Sequence, residues 1–428
     1  MPITKQELAR RLRSAREAGG LTQEQVGERL GLSRPSVVQL ESGNRAVSSL
    51  ELDRLARLYG RDVAEFLAAE FDAEESLVAV FRAEAAAADG ENLSDAVSVC
   101  VALAREFANL EDLLGVDSLR VGAPAYPMPA LCSKWQAVEQ GSRVAVTERS
   151  RLNLGALPLG NVADLLESQG VRTALLTLPA DVSGLTLMEP SLSFFVVANR
   201  DHGILWRRFS WIHEYAHILF DRDRRGTVSR SSERDALAEV RANAFAAAFL
   251  MPADGMRDAL TGLGKGQASR ERWAIFDEED TVPAEGRAEP GSQTVQLYDA
   301  VLLADHFRVS RIAMLYRLHN LQLLSQPALE ALLDEEEAGR GQQLEQSLGL
   351  RPREAKNAGS LGRRRTSQSR FLGLALEAYR RAKISRGKLK ELAGLAECSE
   401  AELDQLLLAA GLEPYEGDDE VLLPKDLE

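Results

Sequence analysis

The sequence predicts a mainly α-helical chain with a small β-sheet, an α+β architecture of several domains in series. Three observations lead there. Apolar residues recur at helical spacing through most of the 428 residues, in segments punctuated by Gly, Pro and capping Ser or Thr. Strand-like runs are confined to Gly184–Leu187 and residues 192–198, enough for one small sheet. The length suits two to four domains by the usual domain size of roughly 100–200 residues. Composition shifts then divide the chain into an N-terminal five-helix domain (1–68), a helical connector (69–144), a mixed domain with a helical-pair extension (145–334), a linker (335–369) and C-terminal helices with an acidic tail (370–428).

The first domain opens on residues 4–18, whose inward stripe is Leu8, Ala9, Leu12 and Ala15. Thr22 is a helix cap, and Gln25 three residues on completes a capping box. Gly31 supplies a short turn and Ser33 caps the next helix. Two short helices joined this way make a helix-turn-helix, whose second helix enters the major groove of DNA. The residues alone also admit a peptide-binding or dimerisation module. Residues 4–67 as a whole resemble the Xre/Cro-type repressor domains. The resemblance implies that Gln23 touches a phosphate while Arg34, Ser36 and Gln39 face base edges, as Arg–guanine and Gln–adenine pairing allows. Asn44 and Arg45 follow the recognition helix and are expected to hold the DNA backbone. Pro35 offers no donor, so the base preference beside it stays open. One short recognition helix reads few base pairs, so a homodimer on a double-stranded operator is expected.

The middle domain contains His213-Glu214-Tyr215-Ala216-His217. On a helix the two imidazoles, four residues apart, lie one above the other and can grip one metal ion, with Glu214 on the same turn. Trp211, Ile212, Ala216, Ile218, Leu219 and Phe220 make that helix apolar nearly all round, hence buried. A buried His-Glu-His cluster is costly unless paired or metal-bound, and nitrogen and carboxylate ligands favour Zn2+. A hydrogen-bonded core pair is the plainer alternative. For a third ligand, Glu239 shares the inward stripe of an Ala-rich helix with Ala242, Ala246 and Phe249, and Pro252 ends that helix. Glu233 and Asp235 sit in its polar lead-in. Cys100, Cys132 and Cys398 form no C-x-x-C pair, so a thiolate site is not expected.

Taken together, Phe194–Val197, Arg208-Phe209 before the H-E-x-x-H run, Glu239-x-x-Ala-Asn-x-Phe-Ala, Leu250-Met251-Pro252 and the segment Asn161–Gly170 resemble the ImmA/IrrE metallopeptidases across residues 145–330. The resemblance implies a zincin-like domain in which His213, His217 and Glu239 hold zinc and Glu214 is the general base. Tyr215-Ala216 departs from the Leu-Gly that the family often places there, at spacer positions. An edge strand in the small sheet is expected to accept an extended substrate by strand addition, although the strands could be purely structural. Joined in one chain, the two domains imply a regulator that cleaves a regulatory protein, such as a repressor, or itself, in a stress or mobile-element response. The alternative is a non-proteolytic repressor whose peptidase-like domain senses a ligand or partner.

Elsewhere, residues 70–115 read as helix, 120–130 as loop, and 277–292 as an exposed breaker-rich loop. Residues 302–321 have a helix-turn-helix rhythm around Ser310, which makes His306 and His319 structural. Residues 335–369, with Glu335–Glu337 and Arg363–Arg365, read as a mobile linker. Residues 371–412 form a small helical unit whose role, docking or self-association, stays open. A 45% hydrophobic, 27% charged composition is that of a globular protein. The absence of an 18-residue apolar run, the lack of a signal region and three scattered cysteines lead to the expectation of a cytoplasmic protein. The net charge of −14 confines nucleic-acid contact to the first domain, where residues 1–65 carry 11 basic against 9 acidic side chains.

Overall fold

In a computed structural model, the chain is described apart from residues 1–2, 19–20, 60, 62, 69–70, 72–89, 117–121, 190–192, 266–270, 277–280, 287–288, 290, 351–368 and 413–428. Five helices open it: α1 (Lys5–Ala18), α2 (Gln23–Leu30), α3 (Arg34–Glu41), α4 (Ser49–Leu58) and α5 (Val63–Leu67). The Thr22 hydroxyl accepts the Gln25 N–H and the Gln25 side chain returns a bond to the Thr22 backbone, while Ser33 caps α3. Gly31 closes α2 at φ 67°, a left-handed turn that glycine adopts without strain. Leu12, Val26, Val37, Leu40, Leu55 and Phe66 form the core of this unit. Two buried arginines tie α1 down: Arg16 pairs with Glu41 of α3 at 2.6 Å, and Arg11 donates to the carbonyls of Phe66 and Ala68.

The middle of the chain is built on a four-stranded sheet: β1 (Val171–Leu176), β2 (Val182–Glu189), β3 (Ser193–Asn199) and β4 (Gly226–Arg230). Its order is β1-β3-β2-β4, with β1 parallel to β3 and the other pairings antiparallel. Both faces are covered, which explains near-continuous apolar strands where a half-exposed sheet would alternate. On one face Val171, Leu175, Met188, Val196 and Ala198 join a core with α7 (Lys134–Arg151), α8 (Val162–Ser168), α9 (Ile204–Phe220), α10 (Leu237–Leu250) and α11 (Ala253–Gly262). On the other, Ala174, Leu176, Leu185, Leu187, Phe195 and Val197 pack with α6 (Gly90–Leu114) and three C-terminal helices, α16 (Ser369–Arg380), α17 (Arg386–Leu395) and α18 (Glu400–Ala409). The C-terminal helices therefore share a core with the sheet and with α6. A buried carboxylate fastens this layer: Glu111 of α6 lies 2.6 Å from Arg172 of β1 and 2.7 Å from Arg370 of α16.

Several expectations are corrected. Gly184–Leu187 and 193–198 belong to interior strands, and the sheet edges are β1 and β4. Helix α7 runs through the expected boundary at 144/145, because Val144 and Ala145 are core residues. Part of the expected loop 277–292 is strand β6 (Thr281–Gly286), paired with β5 (Glu271–Phe276). A two-stranded ribbon has only edges, so Pro283 is tolerated there. The start of the expected linker is helical: α14 (Gln326–Glu337) runs into the acidic triplet and α15 (Arg340–Ser347) follows, both packing with α12 (Leu297–Phe307) and α13 (Arg311–Asn320). Arg311 explains the change, since it pairs with Glu336 and Glu345 at 2.7 Å each and offsets the charge run. Residues 70 and 72–89, Arg363–Arg365 and the acidic tail lie outside the described residues. Among those described, no helix is long and apolar enough to cross a membrane.

Candidate metal centre and DNA-reading surface

Helices α9 and α10 pack against each other, and their contact brings His213, His217 and Glu239 together. One ligand atom from each lies within 4.8 Å of the others. His213 Nε2 is 3.0 Å from Glu239 Oε2, and His217 Nε2 is 3.3 Å from both Glu239 Oε1 and His213 Nε2. All three are buried, with side chains 6%, 2% and 12% exposed. The rivals Glu233 and Asp235 are exposed, and Asp235 pairs with Lys134.

A second layer orients these side chains. His213 Nδ1 lies 3.0 Å from Asn243 Oδ1, and His217 Nδ1 lies 2.9 Å from Asp221 Oδ2. Asp221 in turn accepts from Arg241. With each Nδ1 held by a side-chain oxygen, each Nε2 faces the carboxylate and is the atom that would be offered to an ion there. Electrostatics agree. Burial disfavours charge on His217, yet Asp221 and Glu239 outweigh it and lift its pKa to about 10. Burial likewise works against the Glu239 charge, but the two imidazoles hold its carboxyl well below the usual range. This cluster demands positive charge, and two imidazole nitrogens with a carboxylate are a donor set that fits a divalent ion. Sequence reasoning gave Asn243, Asp221 and Arg241 no role here. Their signal was spacing: Asn243 lies one turn past Glu239, and Asp221 one turn past His217.

Glu214 is fully buried beneath β2, and burial raises its pKa. Its Oε2 accepts from the Thr186 hydroxyl at 2.6 Å. The departure at Tyr215 has a structural reason: its hydroxyl donates to Glu148 at 2.6 Å, a buried carboxylate that also receives Tyr126 and Arg151. His319 Nδ1 is 3.0 Å from the Leu324 carbonyl, and His306 sits edge-on to Phe307, both away from the cluster.

On the first domain Arg34, Gln39 and Asn44 are exposed. Ser36 is half-buried, its hydroxyl 2.8 Å from that of Ser33. Gln23 donates its side-chain amide to Glu41 at 2.8 Å, and Arg45 pairs with Glu51. Two of the residues expected on the DNA backbone are thus engaged with carboxylates of their own domain.

Comparison with known proteins accords with both parts. Residues 7–69 match the family model described as a helix-turn-helix domain, and residues 167–275 match the IrrE N-terminal-like domain of the M78 peptidases. An uncharacterised HTH-type transcriptional regulator of Methanothermobacter thermautotrophicus is 39% identical over 54 residues, which cover 78% of that protein and 13% of this chain. The fold and site thus define a helix-turn-helix protein joined to a metallopeptidase-type domain. The chain belongs to the Xre-like helix-turn-helix regulators through its first domain and carries an IrrE-type peptidase-family domain in its middle.

Proposed function

We propose that this protein is a DNA-binding transcriptional regulator whose middle domain is a zinc-dependent endopeptidase that cleaves a regulatory protein, such as a repressor, or the chain itself. The observation that carries the reading is the paired second layer. Asn243 and Asp221 occupy the Nδ1 atoms of His213 and His217 and turn both Nε2 atoms toward Glu239. His213, His217 and Glu239 would hold the ion. Zinc, when bound, acidifies a water and polarises the scissile carbonyl. Glu214 accepts the water proton on its carboxylate and returns it to the leaving amine nitrogen. Its buried seat favours that exchange, because a carboxylate taken out of water binds a proton more readily than an exposed one.

Arg34, Ser36 and Gln39 would read base edges of a double-stranded operator, with Gln23, Asn44 and Arg45 on its backbone, the protein binding as a homodimer. The alternative, a repressor whose peptidase-like domain only senses a ligand or partner, has no use for a buried Glu214 beside the ligand set. The deciding experiment compares cleaved partners of wild type and Glu214→Gln in cells. Partners cleaved only by wild type support the peptidase. Equal cleavage by both proteins removes Glu214 from the mechanism, and no cleavage by either favours the sensor.

A further inference from the structure

The face of the sheet beneath Glu214 differs from the rest of that face. Met188, Val196 and Ala198 there pack into the core, and Thr173 of β1, opposite Val196, donates its hydroxyl to Glu167 at 2.8 Å. Opposite Glu214 it instead carries Gly184 and Thr186 on β2 and Thr227 and Ser229 on β4. The register pairs Thr186 with Thr227 and Gly184 with Ser229, and directly opposed residues project to the same face. Thr186, Thr227 and Ser229 are 0%, 4% and 1% exposed.

Burying three hydroxyls costs stability unless they have partners. Only Thr186 has an ordinary one, the Glu214 carboxylate at 2.6 Å, with the Glu214 carbonyl at 3.3 Å. The Thr227 and Ser229 hydroxyls and Glu214 Oε1 are buried with no internal hydrogen bond. Ser229 lies directly across the β2–β4 register from Gly184, the residue that leaves room for Oε1. Gly184 matters through what it lacks. A Cβ there would fall 2.5 Å from Glu214 Oε1 and 2.8 Å from its Cγ and Cδ. Apolar side chains at these positions would satisfy the core and expel the carboxyl.

We propose that Thr186, Gly184 and Ser229 are positioning residues that set the direction of the Glu214 carboxyl: Thr186 fixes Oε2, Gly184 leaves the space Oε1 occupies, and Ser229 offers Oε1 a hydroxyl from the edge strand. The inference deepens the peptidase reading and rests on it.

The test uses the full-length protein loaded with Co2+, whose visible absorption reports the immediate surroundings of the ion without a substrate. Glu214→Gln should alter the spectrum. Thr186→Val should shift it in the same direction, Thr186→Ser should return it to wild type, and Ser229→Ala should shift it less. Co2+ affinity should hold throughout, because no ligand is touched. The Thr186 pair carries the decision, since Gly184→Ala can fail to fold. A Thr186→Val spectrum identical to wild type, while Glu214→Gln differs, overturns the inference and leaves the peptidase reading standing. A Glu214→Gln spectrum identical to wild type places that carboxyl away from the ion and overturns both.

Discussion

His213 Nδ1 lies 3.0 Å from the side-chain oxygen of Asn243, one helical turn beyond Glu239 on the same helix. A single element thus supplies both a candidate ligand and the group that orients another. Removing such an outer partner ordinarily weakens metal binding roughly 10- to 100-fold. Asn243→Ala should reduce Zn2+ affinity by that order in competition with a chromogenic chelator. Unchanged affinity would show that the amide serves packing alone.

Metal removal should expose the same dependence. The three ligands lie between α9 and α10, so an ion bound there stabilises only the packed state. At a free concentration 100 times its dissociation constant, such a ligand contributes about 2.7 kcal/mol. Chelation should therefore lower the melting temperature of wild type, and Glu239→Gln should melt at the chelated value and ignore added zinc. A melting curve indifferent to chelator would count against an ion at this position.

Glu148 gives the acid limb of stability. Burial opposes its charge, but Arg151, Tyr215 and Tyr126 outweigh that and hold its pKa below the usual glutamate value. A carboxylate with a depressed folded pKa contributes stability that is present above its unfolded pKa, roughly 4.3, and is lost as pH falls through the lower folded value. Urea unfolding from pH 6 downward should thus show a steep acid loss in wild type. Glu148→Gln should be less stable at pH 6 and flatter toward acid, and parallel curves would refute the assignment.

Much of this was legible in the residues, for identifiable reasons. The Thr22 and Ser33 caps and Gly31 are local signals, and they define the helix-turn-helix without tertiary help. His213 and His217 were legible because ligand spacing on a helix is also local, whereas Glu239, on a second helix, was reached through its place on an inward stripe and through family resemblance. Glu111, by contrast, meets Arg172 and Arg370 only through the fold, 61 and 259 residues away, and no periodicity encodes that meeting. Residues 335–347 were misread because a charge run resembles a solvated linker until Arg311 is placed against it. The edge strand β4 was missed since Gly226–Arg230 is short and polar, its hydroxyls facing a carboxyl that only the fold brings there.

For DNA, the engagement of Arg45 with Glu51 separates two kinds of contact. If exposed Arg34 reads a guanine, as proposed, Arg34→Ala should cost about 1–3 kcal/mol at one operator position and little on random DNA. Arg45→Ala should weaken both equally and reduce the salt slope by about one phosphate contact. Glu51→Gln should strengthen both, because it releases Arg45 toward the backbone. Fluorescence anisotropy on operator and random duplexes across a salt series distinguishes the variants. Matching losses for Arg34→Ala on both duplexes would argue against base reading.

The Glu111 clasp makes the last prediction, because it decides whether the C-terminal helices belong to the middle domain. Glu111 and Arg172 have side chains only 2% and 5% exposed, while Arg370 is 30% exposed. Removing Glu111 leaves Arg172 buried without its carboxylate, a loss of about 3–5 kcal/mol. Removing Arg370 leaves the inner pair intact, and a half-exposed pair contributes about 0–1 kcal/mol. Glu111→Ala should therefore destabilise far more than Arg370→Ala in urea titrations. It should also loosen α16–α18, exposing Phe371, Leu389 and Leu392, so that hydrogen exchange there accelerates together with exchange in β1 and β3. Faster exchange in the C-terminal helices alone would mean that they unfold as an independent unit and that the sheet does not depend on their cover.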